Sequence, residues 1–268
     1  MSGSDVPREP LRQRREPPEF RRVEVRRAEV VNPCLVRITL AGPELAGFRV
    51  EEPAASIRLL FPPPGARELV MPSWNGNEFL LPDGRRPAIR TFTPLRAVPD
   101  ARTLDIEAVI HGDGVASQWA EAVEAGAQAA ISGPGRGYVI DRDAPEFFLG
   151  GDESAVPAIG QLLGLLPVEI PTQVHLDARP AARVELPAHA RTTVAWHDST
   201  PGAPPGAALV AAVRAADIAP GTRIWAAGEA ASVQRIRRHL FEERGVTRAD
   251  ATIRGYWKHG RAGGESEK

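Results

Sequence analysis

Cysteine is nearly absent from this chain: Cys34 is the single example in 268 residues. One thiol excludes an internal disulfide, a cysteine-ligated zinc site and a cysteine-held iron–sulfur cluster within one chain. The six histidines are scattered, without the short spacings of a metal-ligating pair, so no metal site is expected. Any redox or metal chemistry must then be carried by a bound molecule. No apolar run is long enough to cross a bilayer, and the N-terminal residues lack the apolar core of a signal peptide. A cytoplasmic protein without membrane insertion is expected. The formal net charge of -1 gives no overall pull toward nucleic acid, and no such partner is expected. Internal repeats and a catalytic triad are also missing.

What is present falls into two rhythms, in a chain long enough for two ordinary domains. Residues 1–27 are crowded with arginine, proline and glutamate, a composition that cannot bury enough surface to order itself. From Glu19 to about Val139 the apolar pattern has period two, in "RRVEVRRAEVV", "CLVRITLAG", "SIRLLFP", "TLDIEAVIHG" and "AAISGPG". Short strands between Gly and Pro turns predict an antiparallel barrel or sandwich. One helix interrupts them, predicted over Val115 to Ala125 with Gly126 as its stop. After Pro145 compact strands ("EFFLGG", "TQVHLDA", "TTVAWHD", "RIWAAGE", "ATIRGYW") alternate with helical patterns, which predicts a parallel α/β sheet with crossover helices. The expected layout is a disordered tail over 1–18, a β-barrel domain over 19–142, an α/β nucleotide-type domain over 143–261 and a flexible tail over 262–268.

Two segments of the first half have the makings of a dinucleotide site. In "AIRTFT" strand alternation puts Arg90 and Phe92 on one face and Ile89, Thr91 and Thr93 on the other. An arginine can fork onto a phosphate and a phenylalanine can lie against a flat ring. Pro94 then bars the strand from a central place. By itself this segment reads equally as an edge strand with a snorkelling arginine and a core phenylalanine. In "VIHGDGVASQWAEA" a strand ends at His111, Gly112 and Gly114 turn the chain, and a helix opens near Ala116 and Ser117. Unpaired backbone N–H groups, the helix dipole and the Ser117 hydroxyl would meet there, at a natural place for phosphate. An ordinary serine-capped glycine turn fits that stretch alone; the two segments together favour a ligand.

The motifs "RTFTPLR", "HGDGVASQWA", "GPGRGY", "LGGDESAVPAI", "WAAGEAASVQRIRRHL" and "GYWKHG" occur in an order that resembles the siderophore-interacting proteins, FAD-containing ferric-siderophore reductases of the ferredoxin-reductase superfamily. The resemblance runs from about Phe20 to Arg261. It implies an FAD-binding barrel followed by an NAD(P)H-type domain, with Arg90 on a phosphate and Phe92 stacked on the flavin. Thr91 lies between these two, and Thr93, His111, Gly112, Gly114, Ala116 and Ser117 line the rest of the implied FAD site. The family usually has tyrosine where this chain has Phe92, so stacking is kept and a phenolic hydrogen bond is lost.

In the second half the turn "GGDES" matches in position the Gly-rich turn that meets the nicotinamide dinucleotide in related reductases. Asp152 and Glu153 would repel a pyrophosphate there unless they face away or cap the helix. Gly228 and Glu229 stand at the carboxyl edge of the sheet, where open α/β sheets bind ligands, and Ser232 is placed to cap the next helix. Asp177 could hold a ribose 2′-hydroxyl, whereas Arg179 and Arg183 could meet a 2′-phosphate. The resemblance brings Trp257 near the exposed face of the flavin and joins Lys258 with Arg58 and Arg136 in a basic patch suited to anionic ferric siderophores. The expected activity is electron transfer from NAD(P)H through FAD to Fe(III) in a siderophore, with no side-chain catalyst. The alternatives are a flavin reductase fed by ferredoxin or serving another acceptor, and a non-catalytic siderophore carrier. A monomer is expected.

Overall fold

The computed structural model describes residues 19–62, 66, 68–111, 114–200 and 202–260. The tails expected over 1–18 and 262–268, and Gly112, lie outside the described residues.

Among the described residues the period-two half forms nine strands: β1 (Phe20–Asn32), β2 (Leu35–Ala41), β3 (Ile57–Leu60), β4 (Ser73–Trp74), β5 (Phe79–Leu80), β6 (Ile89–Phe92), β7 (Pro94–Val98), β8 (Thr103–Val109) and β9 (Gln128–Ser132). All except the small β4–β5 hairpin join one antiparallel sheet in the order β6-β3-β9-β1-β2-β8-β7. Its two edges, β6 and β7, are consecutive in the chain and separated by Thr93 alone. A sheet whose outer strands are joined by one residue must curl until those edges meet, which makes the barrel. β1 is long enough to pair with β9 through Phe20–Glu24 and with β2 through Glu24–Asn32. A register shift between Val25 and Arg27 moves the inward face from Val23 and Val25 to Ala28.

Leu40, Ile38, Leu59, Leu104, Ile106 and Ile131 fill the barrel without measurable exposure. One end is closed by α1 (Val115–Ala122), whose Trp119 stacks on Phe61 at 4.9 Å and 24°. This helix stops three residues short of the expected Ala125. Val123 turns to extended backbone and packs against the barrel core. Gly126 instead turns the chain back to β1 at φ +87°, and its N–H bonds the Val25 carbonyl at 2.7 Å.

The second half forms β10 (Phe147–Asp152), β11 (Thr172–Ala178), β12 (Thr192–Asp198), β13 (Arg223–Glu229) and β14 (Ala251–Trp257), all parallel, in the order β12-β11-β10-β13-β14. Strand β10 is central, and all six of its residues are buried. Phe147 and Leu149 point to the core under α2 (Val156–Leu163); Phe148 points to the core under α3 (Ala207–Ala215) and α4 (Ala230–Arg238). Helix α4 runs on into a π-helical turn, His239–Glu243. The strand order reverses between β10 and β13, so the crevice that doubly wound sheets offer to ligands opens at the carboxyl ends of those two strands. No helix among the described residues is long and apolar enough to cross a membrane.

Candidate functional site

The carboxyl edge of the parallel sheet faces the barrel where β6 and β8 end and β7 begins. Five side chains span this junction. Gln161 of α2 accepts the Ala54 N–H at 3.0 Å and donates Nε2–H to the carbonyls of Pro94 (2.5 Å) and Leu95 (3.2 Å). Arg179 follows β11 and donates to the Ile110 carbonyl at 2.8 Å. Arg254 of β14 donates to the carbonyls of Ala54, Arg136 and Gly137 at 3.1, 3.1 and 2.7 Å. Tyr256 shares a side-chain hydrogen bond with Thr93, and burial raises its pKa. Trp257 stacks on His111 at 5.7 Å and 29°.

Within this frame Arg90 and Phe92 stand opposite Leu59 and Ile57 of β3, on the inward face, whereas Thr91 stands opposite Arg58 on the exposed face. Phe92 is half-buried against the barrel core. The half-buried Arg90 guanidinium donates to the Ile89 carbonyl at 2.7 Å, and among the described residues no carboxylate pairs with it. Burial alone lowers its pKa. A desolvated cation without an anion of its own is a group that a phosphate would complete.

Thr93 is buried and shares its side-chain hydrogen bond with Tyr256. The exposed His111 ring has its pKa lowered by desolvation first and by the nearby Arg179 charge second, against a smaller opposing pull from Glu153. Gly114 is the N-cap of α1, and Ala116 packs on the barrel core. Ser117 does not turn its hydroxyl outward. It is fully buried, accepts the His111 N–H at 3.0 Å and reaches the Val109 carbonyl at 3.3 Å, so it ties the strand end to the helix.

At the α/β edge Asp152 takes one of the two roles the sequence left to it, that of a cap. Asp152 and Glu153 are turned onto groups of their own chain. Asp152 caps the turn before α2 by accepting both the backbone N–H (2.9 Å) and the hydroxyl (2.5 Å) of Ser154. Its other oxygen accepts the Glu229 N–H and the Trp257 Nε1–H, each at 2.8 Å. Burial raises the Asp152 pKa, and these hydrogen bonds oppose the rise. Glu153 is paired with Arg179 at 2.5 Å. Glu229 is 4% exposed and is itself the cap of α4, accepting the Ser232 N–H at 2.9 Å; Ser232 gives its hydroxyl to the Pro205 carbonyl instead. Gly228 is needed for close approach, because a Cβ there would lie 2.6 Å from Asp152 Oδ2. Asp177 is buried between Ser199 and the start of α3, and Arg183 pairs with Asp198.

The residues expected in a basic patch lie on neighbouring backbone segments. Arg58 pairs in register with Ser132, and Gly135 N–H bonds the Ser56 carbonyl at 2.7 Å, so the Arg58 and Arg136 segments run side by side. Arg254 ties the Arg136 backbone to β14, and Lys258 follows that strand directly. Arg58, Arg136 and Lys258 are all exposed. Among the described residues no three His, Cys, Asp or Glu side chains gather as metal ligands. Gln161 and Arg254 were not singled out from sequence, although a glutamine within "VPAIGQLLGLL" and an arginine within "ATIRGYW" interrupt apolar runs and give a signal.

Comparison with known proteins follows the same division. Residues 24–138 match the model of a siderophore-interacting FAD-binding domain, and residues 144–260 match that of the siderophore-interacting protein family. The chain is similar in structure to a siderophore utilization protein from T. fusca, with a TM-score of 0.80 and 31% identity over 92% of this chain and 95% of that one. It is 28% identical to the ferric vibriobactin reductase ViuB of Vibrio cholerae, over 88% of each chain. It is also 29% identical, over 88% of its own length, to the mycobactin import ATP-binding/permease protein IrtA of Mycolicibacterium smegmatis, of which it spans 26%.

Proposed function

The chain belongs to the siderophore-interacting protein family, and from that premise we propose that it is an FAD-dependent ferric-siderophore reductase. The observation that carries the reading is Arg90, a half-buried cation without a carboxylate partner among the described residues, next to Phe92 at the barrel seam and inside the matched FAD-binding region. Arg90 would hold the pyrophosphate and Phe92 would flank the ring, with His111 bounding the site from the barrel and Trp257 from the other domain. When bound, FAD supplies the electron transfer that lowers Fe(III) to Fe(II), a state that hard oxygen ligands hold less tightly; the cofactor carries this chemistry.

The chain's own residues provide position and field. The stacked His111 ring and the indole held by Asp152 form a flat wall at the domain junction. Arg58, Arg136 and Lys258 would draw an anionic ferric siderophore to the outer side of that junction. In the reading drawn from the sequence the electrons come from NAD(P)H. The alternative donor kept from the sequence is reduced ferredoxin. The relative ViuB supports the choice of acceptor by its name.

The test separates the acceptor from the donor. Protein reconstituted with FAD is reduced with dithionite without oxygen and then mixed with a ferric catecholate or ferric hydroxamate siderophore in the presence of a ferrous trap. Trapped Fe(II) in proportion to flavin supports the proposal. A reduced flavin that no ferric siderophore reoxidises, or a protein that takes up no FAD, rejects it and leaves the carrier reading.

A further inference from the structure

The crevice at the β10–β13 reversal is filled from within. Asp152 reaches across it from β10 to the Glu229 N–H of β13 at 2.8 Å, and Gly228 lies directly under the carboxylate. The three helical entrances along the same edge are taken in the same way. Asp152 caps the turn into α2 through Ser154 N–H at 2.9 Å. Asp177 caps α3 through Leu209 N–H at 3.1 Å, and its second oxygen holds the Ser199 hydroxyl at 2.5 Å. Glu229 caps α4 through Ser232 N–H at 2.9 Å, and its second oxygen takes the His259 N–H at 3.3 Å.

A dinucleotide pyrophosphate is held by backbone N–H groups at such entrances, and a ribose hydroxyl by a carboxylate that is free to accept it. At α3, at α4 and at the 3-10 turn Glu153–Ala155 that leads into α2, a carboxylate of this chain sits on an N–H that phosphate would use. Asp177, the acidic residue placed for a ribose, is 3% exposed with both oxygens engaged. The cations placed for a 2′-phosphate are engaged too. Arg179 is forked onto Glu153 and the Ile110 carbonyl, and Arg183 is paired with Asp198 and lies over the Trp196 ring. An arriving pyrophosphate would have to displace carboxylates and then lie beside them, both at a cost.

We infer that the carboxyl edge of the α/β domain is closed to nicotinamide dinucleotides by its own carboxylates. NADH and NADPH reach the flavin only by collision from solution, without a saturable complex at the edge. The consequence for electron supply rests on the reductase reading, whereas the closure itself does not.

Two measurements test it. The chain, with and without FAD, is titrated calorimetrically with NAD+ and NADP+ to about 5 mM, beyond the ordinary KM range of about 1 μM to 1 mM. No saturable heat is expected. In anaerobic stopped flow, the reduction rate of the FAD-loaded protein should rise in direct proportion to NADH or NADPH, roughly tenfold for each tenfold in concentration, as an uncomplexed encounter requires. Saturable binding, or a hyperbolic rate with half-saturation below about 1 mM for either nucleotide, overturns the inference. The dithionite experiment above decides the reductase reading independently. If that fails while the titrations stay flat, the closure stands and the function falls; the reverse pattern keeps the function and removes the closure.

Discussion

Gln161 offers a demanding test of how the two domains are joined. Its amide uses both polarities: Oε1 accepts from Ala54 N–H, and Nε2 donates to the carbonyls of Pro94 and Leu95. Gln161→Glu keeps the shape and the acceptor but replaces the donor with a carboxylate oxygen facing two carbonyl oxygens. Two lost hydrogen bonds cost about 0.5–1.5 kcal/mol each, and leaving acceptors unsatisfied adds about 1–3 kcal/mol. Because Gln161 is half-buried and water can enter, the expected loss at pH 7 lies toward the lower part of that range, about 2–4 kcal/mol. With a urea slope of about 1–3 kcal/mol per molar, the unfolding midpoint falls by roughly 1 M or more. The deficit should depend on pH. The facing carbonyls disfavour the charged form, so the introduced carboxyl has a raised folded pKa against about 4.3 unfolded. Its protonated form donates again. The restored bond is fully present below the unfolded pKa and is lost as pH rises through the folded one, so the deficit is small near pH 4 and complete at pH 7. Urea melts followed by tryptophan fluorescence at both pH values give the result. A loss under about 0.5 kcal/mol at pH 7, or a deficit of equal size at both, refutes the assigned bonds.

Two further outcomes concern the ligand side. Arg90→Ala should lose bound FAD while circular dichroism keeps the folded spectrum; stoichiometric flavin after gel filtration of that variant removes Arg90 from the phosphate. Lys258→Ala should raise the KM for an anionic ferric siderophore about three- to tenfold, the effect of roughly 1 kcal/mol of lost surface attraction. Flavin content should stay the same, and an unchanged KM takes Lys258 out of the patch.

The strands and helices were readable because each carries its own period. "TLDIEAV" alternates buried Leu104, Ile106 and Ala108 as a barrel strand must, and "FFLGGD" is continuous because β10 is covered on both faces. What escaped sequence reading was the partner of each polar group. Asp152, Asp177 and Glu229 stand at strand ends where a nucleotide is expected, and only the fold shows each turned onto a backbone N–H of its own chain. Ser117 reads as a cap beside a glycine turn, yet its hydroxyl belongs to the strand it follows. Some of these partners lie close in the chain but compete with a ligand for the same group. Others, as with Asp177 and Leu209 or Arg254 and Ala54, lie where no local window contains both.

The one-residue link between β6 and β7 also constrains how this barrel can fail. Because Thr93 separates two opposite edges, neither edge can slide by itself. A one-residue slip of β6 along β3 would drag β7 along β8 in the opposite sense and turn buried faces outward on both sides. Register around the whole ring is therefore fixed at one place. That place lies between Phe92 and Pro94, and its threonine is bonded to Tyr256 of the other domain. Loosening the domain junction should thus be felt first as slack in the barrel's register, at the segment that carries Arg90.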